Sequence, residues 1–154
     1  MAEINLPNAG SPLPGLVTAG QPDSAQFEEL ARAGVKTVID LRPPEEPRGF
    51  DEPQAVRAAG LEYYNIPVSA PTLGDAQFSE FRKHIGAKRD GTVLVHCASA
   101  NRVGALLIPY LLIDKGRSRA EALEIARSVG LRSDDMARAA IRYAEKHQRK
   151  NSGS

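Results

Sequence analysis

The chain has 154 residues, of which 42% are hydrophobic and 25% charged, with a formal net charge of +1. That is one globular domain's worth of chain with an ordinary apolar content. The near-neutral balance excludes bulk basicity as a means of holding nucleic acid or an anionic membrane, so any bound anion is expected at a local site. A single cysteine, Cys97, rules out an intrachain disulfide and suits a reducing, cytoplasmic setting. The first residues carry no basic-then-apolar leader, and no stretch approaches the roughly 20 apolar residues of a membrane span.

Residues 1–15 are Pro/Gly-rich and read as an irregular lead-in to a single domain over 16–148, with 149–154 a flexible polar tail. Leu16 to Ala19 is a short strand. A helix is expected from Asp23, as N-cap, to a stop at Gly34, with Phe27, Leu30 and Ala31 on one face. Val35 to Leu41 is a β-branched strand, broken by the proline-rich, charged segment Arg42 to Pro47. A short helix over 51–59 ends at Gly60, and 61–68 is the next strand. Thr72 is expected to open a helix with Asp75 in its first turn and Phe78, Phe81 and Ile85 as its apolar stripe.

After an Asp90-Gly91 turn, Thr92 to His96 is a nearly continuous apolar run, as for a strand buried on both faces. The strongly apolar helix over 103–115 follows, with a kink expected at Pro109. A capping box at Ser118 and Glu121 starts another helix, and Ser133 starts the last, to about Lys146. Strands alternating with helices predict an α/β fold with a mainly parallel central sheet and helices on both faces.

Ligands of such sheets gather at the carboxyl ends of the strands. There stands His96-Cys97-Ala98-Ser99-Ala100-Asn101-Arg102, between the most apolar strand and the most apolar helix. Successive loop amides form a nest for an anion, the helix start adds its positive end, and Arg102 adds a planar two-pronged clamp. Surroundings of that sign favour thiolate over thiol, so Cys97 is the expected nucleophile. His96 is either a core histidine or a ring that holds the loop. If the loop turns left-handed at Ala100, its side chain costs about 1–2 kcal/mol relative to glycine. Asp40 and Arg42, at a neighbouring strand end, are expected to border the same crevice, whereas Glu45 and Glu46 read as solvated loop charges.

The strand-end run Val-Leu-Val-His-Cys leading to Arg102, together with "TAGQP" (18–22), "GVKTVIDLR" (34–42), "YYNIPV" (63–68) and "HCASANRVGAL" (96–106), resembles the cysteine-dependent protein tyrosine and dual-specificity phosphatases, in a small bacterial branch. The resemblance implies a phosphocysteine intermediate on Cys97, phosphoryl oxygens held by Arg102 and the amides of Ala98, Ser99, Ala100 and Asn101, and a phosphorylated protein or small phosphomonoester as substrate. It differs from the family's pattern at three places. Four residues rather than five separate cysteine from arginine, Val103 stands where Ser or Thr usually follows the arginine, and Ser69 stands where the acid that protonates the leaving group is usually found. Asp75 is the nearest downstream carboxylate and so the substitute acid; its alternative is a plain helix N-terminal charge.

A loop with four intervening residues also resembles rhodanese-type sulfurtransferases, with a persulfide on Cys97, and a non-catalytic anion-binding module is a third reading. No cofactor is expected. His84, His96 and His147 lack metal-ligand spacing, so no metal site is expected either.

Overall fold

The computed structural model describes residues 5–87 and 91–152, with side chains through residue 148. The order of elements is β1 (Gly10–Leu13), β2 (Leu16–Ala19), α1 (Gln26–Arg32), β3 (Val35–Asp40), α2 (Glu52–Ala58), β4 (Glu62–Asn65), α3 (Asp75–Gly86), β5 (Thr92–His96), α4 (Asn101–Pro109), α5 (Arg119–Val129) and α6 (Asp134–Ser152). The five strands form one sheet in the order β1-β2-β5-β3-β4, parallel except for β1, which pairs antiparallel with β2.

Alternation along the strands sends side chains to two cores. Val17, Val38 and Leu94 pack with Phe27 of α1 and Val56 of α2. Leu16, Ile39, Val93 and Val95 pack with Phe78 and Phe81 of α3, the length of α4, and Ala122, Ala126 and Ala140 from α5 and α6. The sheet is thus a middle layer with helices on both faces, and β5 lies at its centre, buried from Val93 to His96.

Several local expectations differ from what is observed. Residues 10–13 are not irregular: they form the antiparallel edge strand, because Gly15 at φ +76° allows the tight return to β2. Helix α1 begins later than Asp23, at Gln26 with Ala25 as its cap residue, while the Gln26 side chain accepts a bond from Asp23 N. Thr72 does not open a helix; Ala70–Thr72 is a single 3₁₀ turn, and α3 starts at Asp75 after Gly74. Pro109 has no N–H to offer, and the chain beyond it widens into a π-helical turn over Tyr110–Asp114, closed by Lys115 N to Tyr110 O at 3.1 Å. Helix α6 runs on to Ser152, into the expected tail. Of the expected Asp90-Gly91 turn, Asp90 lies outside the described residues, as do residues 1–4 of the lead-in and 153–154 of the tail.

Register decides what meets at the carboxyl edge. Ala19 pairs with His96, His96 with Asp40, and Asp40 with Asn65. The loops that leave β2, β3 and β5 therefore emerge side by side.

Candidate active site

The loop after β5 is built by its neighbours. Cys97 N donates to Ala19 O (3.4 Å) and Gln21 N to Ala98 O (3.2 Å), so the segment leaving β2 lies directly against it. Gly20 is required there: a Cβ would stand 2.6 Å from the Ala98 carbonyl oxygen. Ala100 takes φ +69°, the left-handed conformation, fully buried, with its own Cβ against Gly130. The first intrahelical bond of α4 runs from Gly104 N to Ala100 O. The N–H groups of Ala98 to Arg102 have no protein acceptor among the described residues, which leaves five donors in one tight turn.

Cys97 is 1% exposed at the floor of this turn. Arg102 leans over it. Burial opposes the guanidinium charge, but the bonds to Glu46 and the interaction with Cys97 outweigh it, and the Arg102 pKa lies above its ordinary value. Asn101 and Ser99 do structural work at the same loop. Asn101 Oδ1 accepts from Arg132 N (2.7 Å) and Ser133 N (3.3 Å), and Ser99 Oγ accepts from Arg132 Nη2 (3.1 Å), latching the α5–α6 turn to the loop.

Two chains of polar side chains converge on the loop, and neither was legible as such. In the first, Arg102 Nη1 and Nη2 donate to the two carboxylate oxygens of Glu46 at 2.8 and 3.1 Å, and Nη1 also donates to Val68 O at 3.0 Å. Glu46 also receives Arg42 Nε at 2.9 Å. Its pKa is lowered, first by the Arg102 bond, against burial, with Arg42 adding to the effect. The expectation of a solvated Glu46 is thereby corrected: the proline-rich loop folds back over the Cys97–Arg102 turn, and two guanidinium groups hold the carboxylate. Arg42 Nη1 donates to Gln21 Oε1 at 2.9 Å.

The second chain lies beneath. His96 is fully buried, with Nε2 2.5 Å from Glu52 Oε2 and Nδ1 3.3 Å from the Cys97 carbonyl oxygen. Both ring nitrogens of His96 therefore face an oxygen, Glu52 Oε2 on one side and the Cys97 carbonyl on the other. Asp40 is also fully buried, and its Oδ2 receives Arg48 Nη2 (2.7 Å), Arg48 Nε (3.1 Å) and the Tyr63 hydroxyl (2.7 Å). Burial, then the bond to Asp40, raises the Tyr63 pKa and keeps its phenol a donor. Asp40 is enclosed by Arg48 and Tyr63 rather than open to solvent. Glu52 was missed altogether, although its place four residues before the buried Val56 puts it on the inner face of α2, a signal in the sequence.

Asp40, Glu52 and His96 bring one possible ligand atom each within 4.8 Å of one another. The cation of this cluster is Arg48, which also approaches Glu52 Oε1 at 3.5 Å, and Gln21 Nε2 donates to that same oxygen at 2.7 Å. These donor atoms are already engaged by protein partners, so the cluster does not fit a metal site.

Asp75 is engaged elsewhere. Its carboxylate receives Lys146 Nζ from α6 at 2.6 Å, and both side chains are 58% exposed. No hydrogen bond or ion pair joins Asp75 to the Cys97–Arg102 loop among the described residues. Ser69, one residue beyond the Val68 carbonyl that Arg102 touches, pairs its hydroxyl with Thr72 Oγ1 at 2.8 Å.

Residues 15–144 match the family model described as DSP-PTPase phosphatase fused to NAD+ kinase. The chain is 36% identical over 113 residues to a β-lactamase hydrolase-like protein of Xylella fastidiosa, covering 71% of this chain and 26% of that protein. It is 28% identical over 132 residues to the dual specificity protein phosphatase TpbA of Pseudomonas aeruginosa, covering 84% of this chain and 58% of TpbA. The chain therefore spans between about a quarter and three fifths of the length of these relatives. Among solved structures, a DUF442 protein from Shewanella putrefaciens superposes with a TM-score of 0.77 at 25% identity over 92% of this chain and 93% of that one. TpbA bearing a Cys→Ser substitution, in complex with phosphotyrosine, superposes with a TM-score of 0.68 at 26% identity over 89% of this chain and 82% of that one. Neither sulfur transfer nor a non-catalytic module is favoured by these likenesses.

Proposed function

This chain belongs to the family of DSP-PTPase phosphatases, the family described as fused to NAD+ kinase, and from that premise we propose that it hydrolyses phosphomonoesters, phosphotyrosine among them, through a phosphocysteine on Cys97. The observation that carries the reading is the convergence of three groups at one turn: the buried Cys97 sulfur, the unclaimed amides of Ala98 to Arg102, and the Arg102 guanidinium held by Glu46.

Cys97 Sγ, as the thiolate, attacks phosphorus in line, the ester P–O bond breaks, and the alkoxide or phenoxide departs with the bonding pair and takes its proton from solvent. The amides and Arg102 hold the equatorial oxygens throughout, donors set before the reaction so that no reorganisation is needed. A water oxygen then attacks phosphorus, the P–S bond breaks, and phosphate leaves with the thiolate restored. Ala100, in the left-handed conformation, turns the chain into α4 at Asn101, so that Arg102 is the second residue of the helix and follows Cys97 by only four intervening residues. The match of TpbA with phosphotyrosine supports aryl phosphates as the first substrates to test.

The experiment is hydrolysis of p-nitrophenyl phosphate by the parent and by Cys97→Ser. Its leaving group departs well without protonation, so turnover reads the cradle and not the identity of the acid. Turnover in the parent and none in folded Cys97→Ser is expected; equal turnover in both would remove Cys97 as the nucleophile.

A further inference from the structure

Among the described residues, Gln21 is the side chain that bonds a side chain of each polar chain converging on the loop; the other links between the two use backbone, with Arg48 donating to Glu46 O (2.8 Å) and Arg42 O (2.9 Å) and Arg42 N donating to Asp40 Oδ1 (3.0 Å). Gln21 Oε1 accepts from Arg42 Nη1 at 2.9 Å and Gln21 Nε2 donates to Glu52 Oε1 at 2.7 Å and to Pro22 O at 3.0 Å. A closed circuit results. From the Arg102 guanidinium it runs to Glu46, to Arg42, through Gln21, to Glu52, to the His96 ring, and back to the carbonyl of Cys97. Every other side chain in it is ionisable; Gln21 is the only neutral amide.

We propose that Gln21 is a positioning residue that couples the arginine clamp to the nucleophile, fixing Arg102 and Cys97 in one mutual geometry. The inference rests on the reading of Cys97 and Arg102 as phosphoryl-transfer groups. An amide suits the junction because it must accept from a guanidinium on one side and donate to a carboxylate on the other. No charged side chain does both. The backbone ties the same residue to the loop, since Gln21 N donates to Ala98 O. Gly20, which precedes it, permits that approach by lacking a Cβ. Position 21 therefore holds the turn by its main chain and ties the groups above and below the turn by its side chain. The buried Asp40–Arg48 pair braces the lower half, with Arg48 Nε near Glu52 Oε1, so a displacement of Glu52 passes to His96 and not into an empty space.

The test is a set of double-mutant cycles. Gln21→Ala removes both bonds. Gln21→Glu retains an acceptor for Arg42 but sets a second oxygen against Glu52, so it breaks the lower half alone. With p-nitrophenyl phosphate, each is expected to lower kcat/KM by on the order of tenfold while melting near the parent temperature. The penalty is expected not to multiply with that of Glu52→Gln: the Gln21→Ala/Glu52→Gln double variant should turn over about as fast as Glu52→Gln alone. A merely structural Gln21 would give multiplying penalties, and that result, or parent-like turnover in Gln21→Glu, would overturn the proposal.

Alkylation of Cys97 by iodoacetamide at fixed pH needs no phosphoryl chemistry and separates the two readings. If the parent fails to hydrolyse phosphomonoesters, the phosphatase reading falls. The coupling then stands if Gln21→Ala and Gln21→Glu each change the alkylation rate several-fold, and falls if both alkylate at the parent rate.

Discussion

Arg102 grips Glu46 with both terminal nitrogens, at 2.8 and 3.1 Å, across 56 residues of chain. The pairing fixes the plane of the guanidinium before any substrate arrives. Glu46→Gln keeps the shape but removes the charge and one of the two acceptors. Hydrogen bonds to charged groups contribute about 1.5–3 kcal/mol, so kcat/KM for p-nitrophenyl phosphate is expected to fall by roughly 10- to 100-fold, mostly through KM. Steady-state kinetics check this; an unchanged KM would show that Arg102 is held well enough by Val68 O.

The same carboxylate makes the clasp pH-dependent. The Glu46 pKa is lowered from 4.5 in the folded protein. The sign follows: its contribution to stability is complete above that ordinary value and is lost as pH falls through the lower folded one. The difference in urea stability between the parent and Glu46→Gln should therefore be largest near neutrality and shrink as pH falls below 4.5. A difference that grew on acidification would contradict the ion pair.

Arg48 compensates two buried carboxylates, Asp40 and Glu52, both wholly inaccessible at the side chain. Arg48→Met leaves that negative charge without its cation. Breaking a buried pair from one side typically costs about 3–5 kcal/mol, which for a chain of this size lowers Tm by roughly 6–20 °C. Thermal unfolding at neutral pH measures it. A loss below about 1 kcal/mol would contradict the assignment of Arg48 as the cation that compensates Asp40 and Glu52.

Ala100 is strained and well enclosed, with φ +69° and no exposure. Ala100→Gly relieves about 1–2 kcal/mol of left-handed strain but frees the unfolded chain by roughly 0.5–1 kcal/mol. A gain of about 0.5–1 kcal/mol, or about 1–4 °C in Tm, is expected. Gly130→Ala should act oppositely, because its Cβ would stand 2.9 Å from that of Ala100 at a φ of +145°.

Asp75 gives a prediction about leaving groups. Its carboxylate is taken by Lys146, so Asp75→Asn is expected to hydrolyse phenyl phosphate and p-nitrophenyl phosphate within about twofold of the parent, less than the factor a general acid contributes. A loss confined to phenyl phosphate, whose phenoxide leaves poorly without a proton, would restore Asp75 as the acid.

The location of the site was legible because its signals are local. An apolar strand, a cysteine and an arginine five residues on, and an apolar helix lie within one short stretch, and the parallel α/β architecture follows from alternating strand and helix patterns. The strand at residues 10–13 escaped notice because Gly-Ser-Pro-Leu has no strand pattern of its own and is held by pairing with β2. Glu46 read as solvated for a similar reason: a charge in a proline-rich loop carries no periodicity, and its partner is set by where the loop folds.

Residue types and their order along the chain thus determined the layers and set Cys97 and Arg102 in one loop. Only the tertiary structure decided which side chains hold Cys97 and Arg102. The links Glu46–Arg102, Glu52–His96 and Gln21–Arg42 span 56, 44 and 21 residues. They exist because β5 inserts between β2 and β3 and brings three loops to one edge. Hydrophobic periodicity specifies which face of a strand is buried but not which strands are neighbours, and hydrogen bonds of about 3 Å depend on that neighbour order.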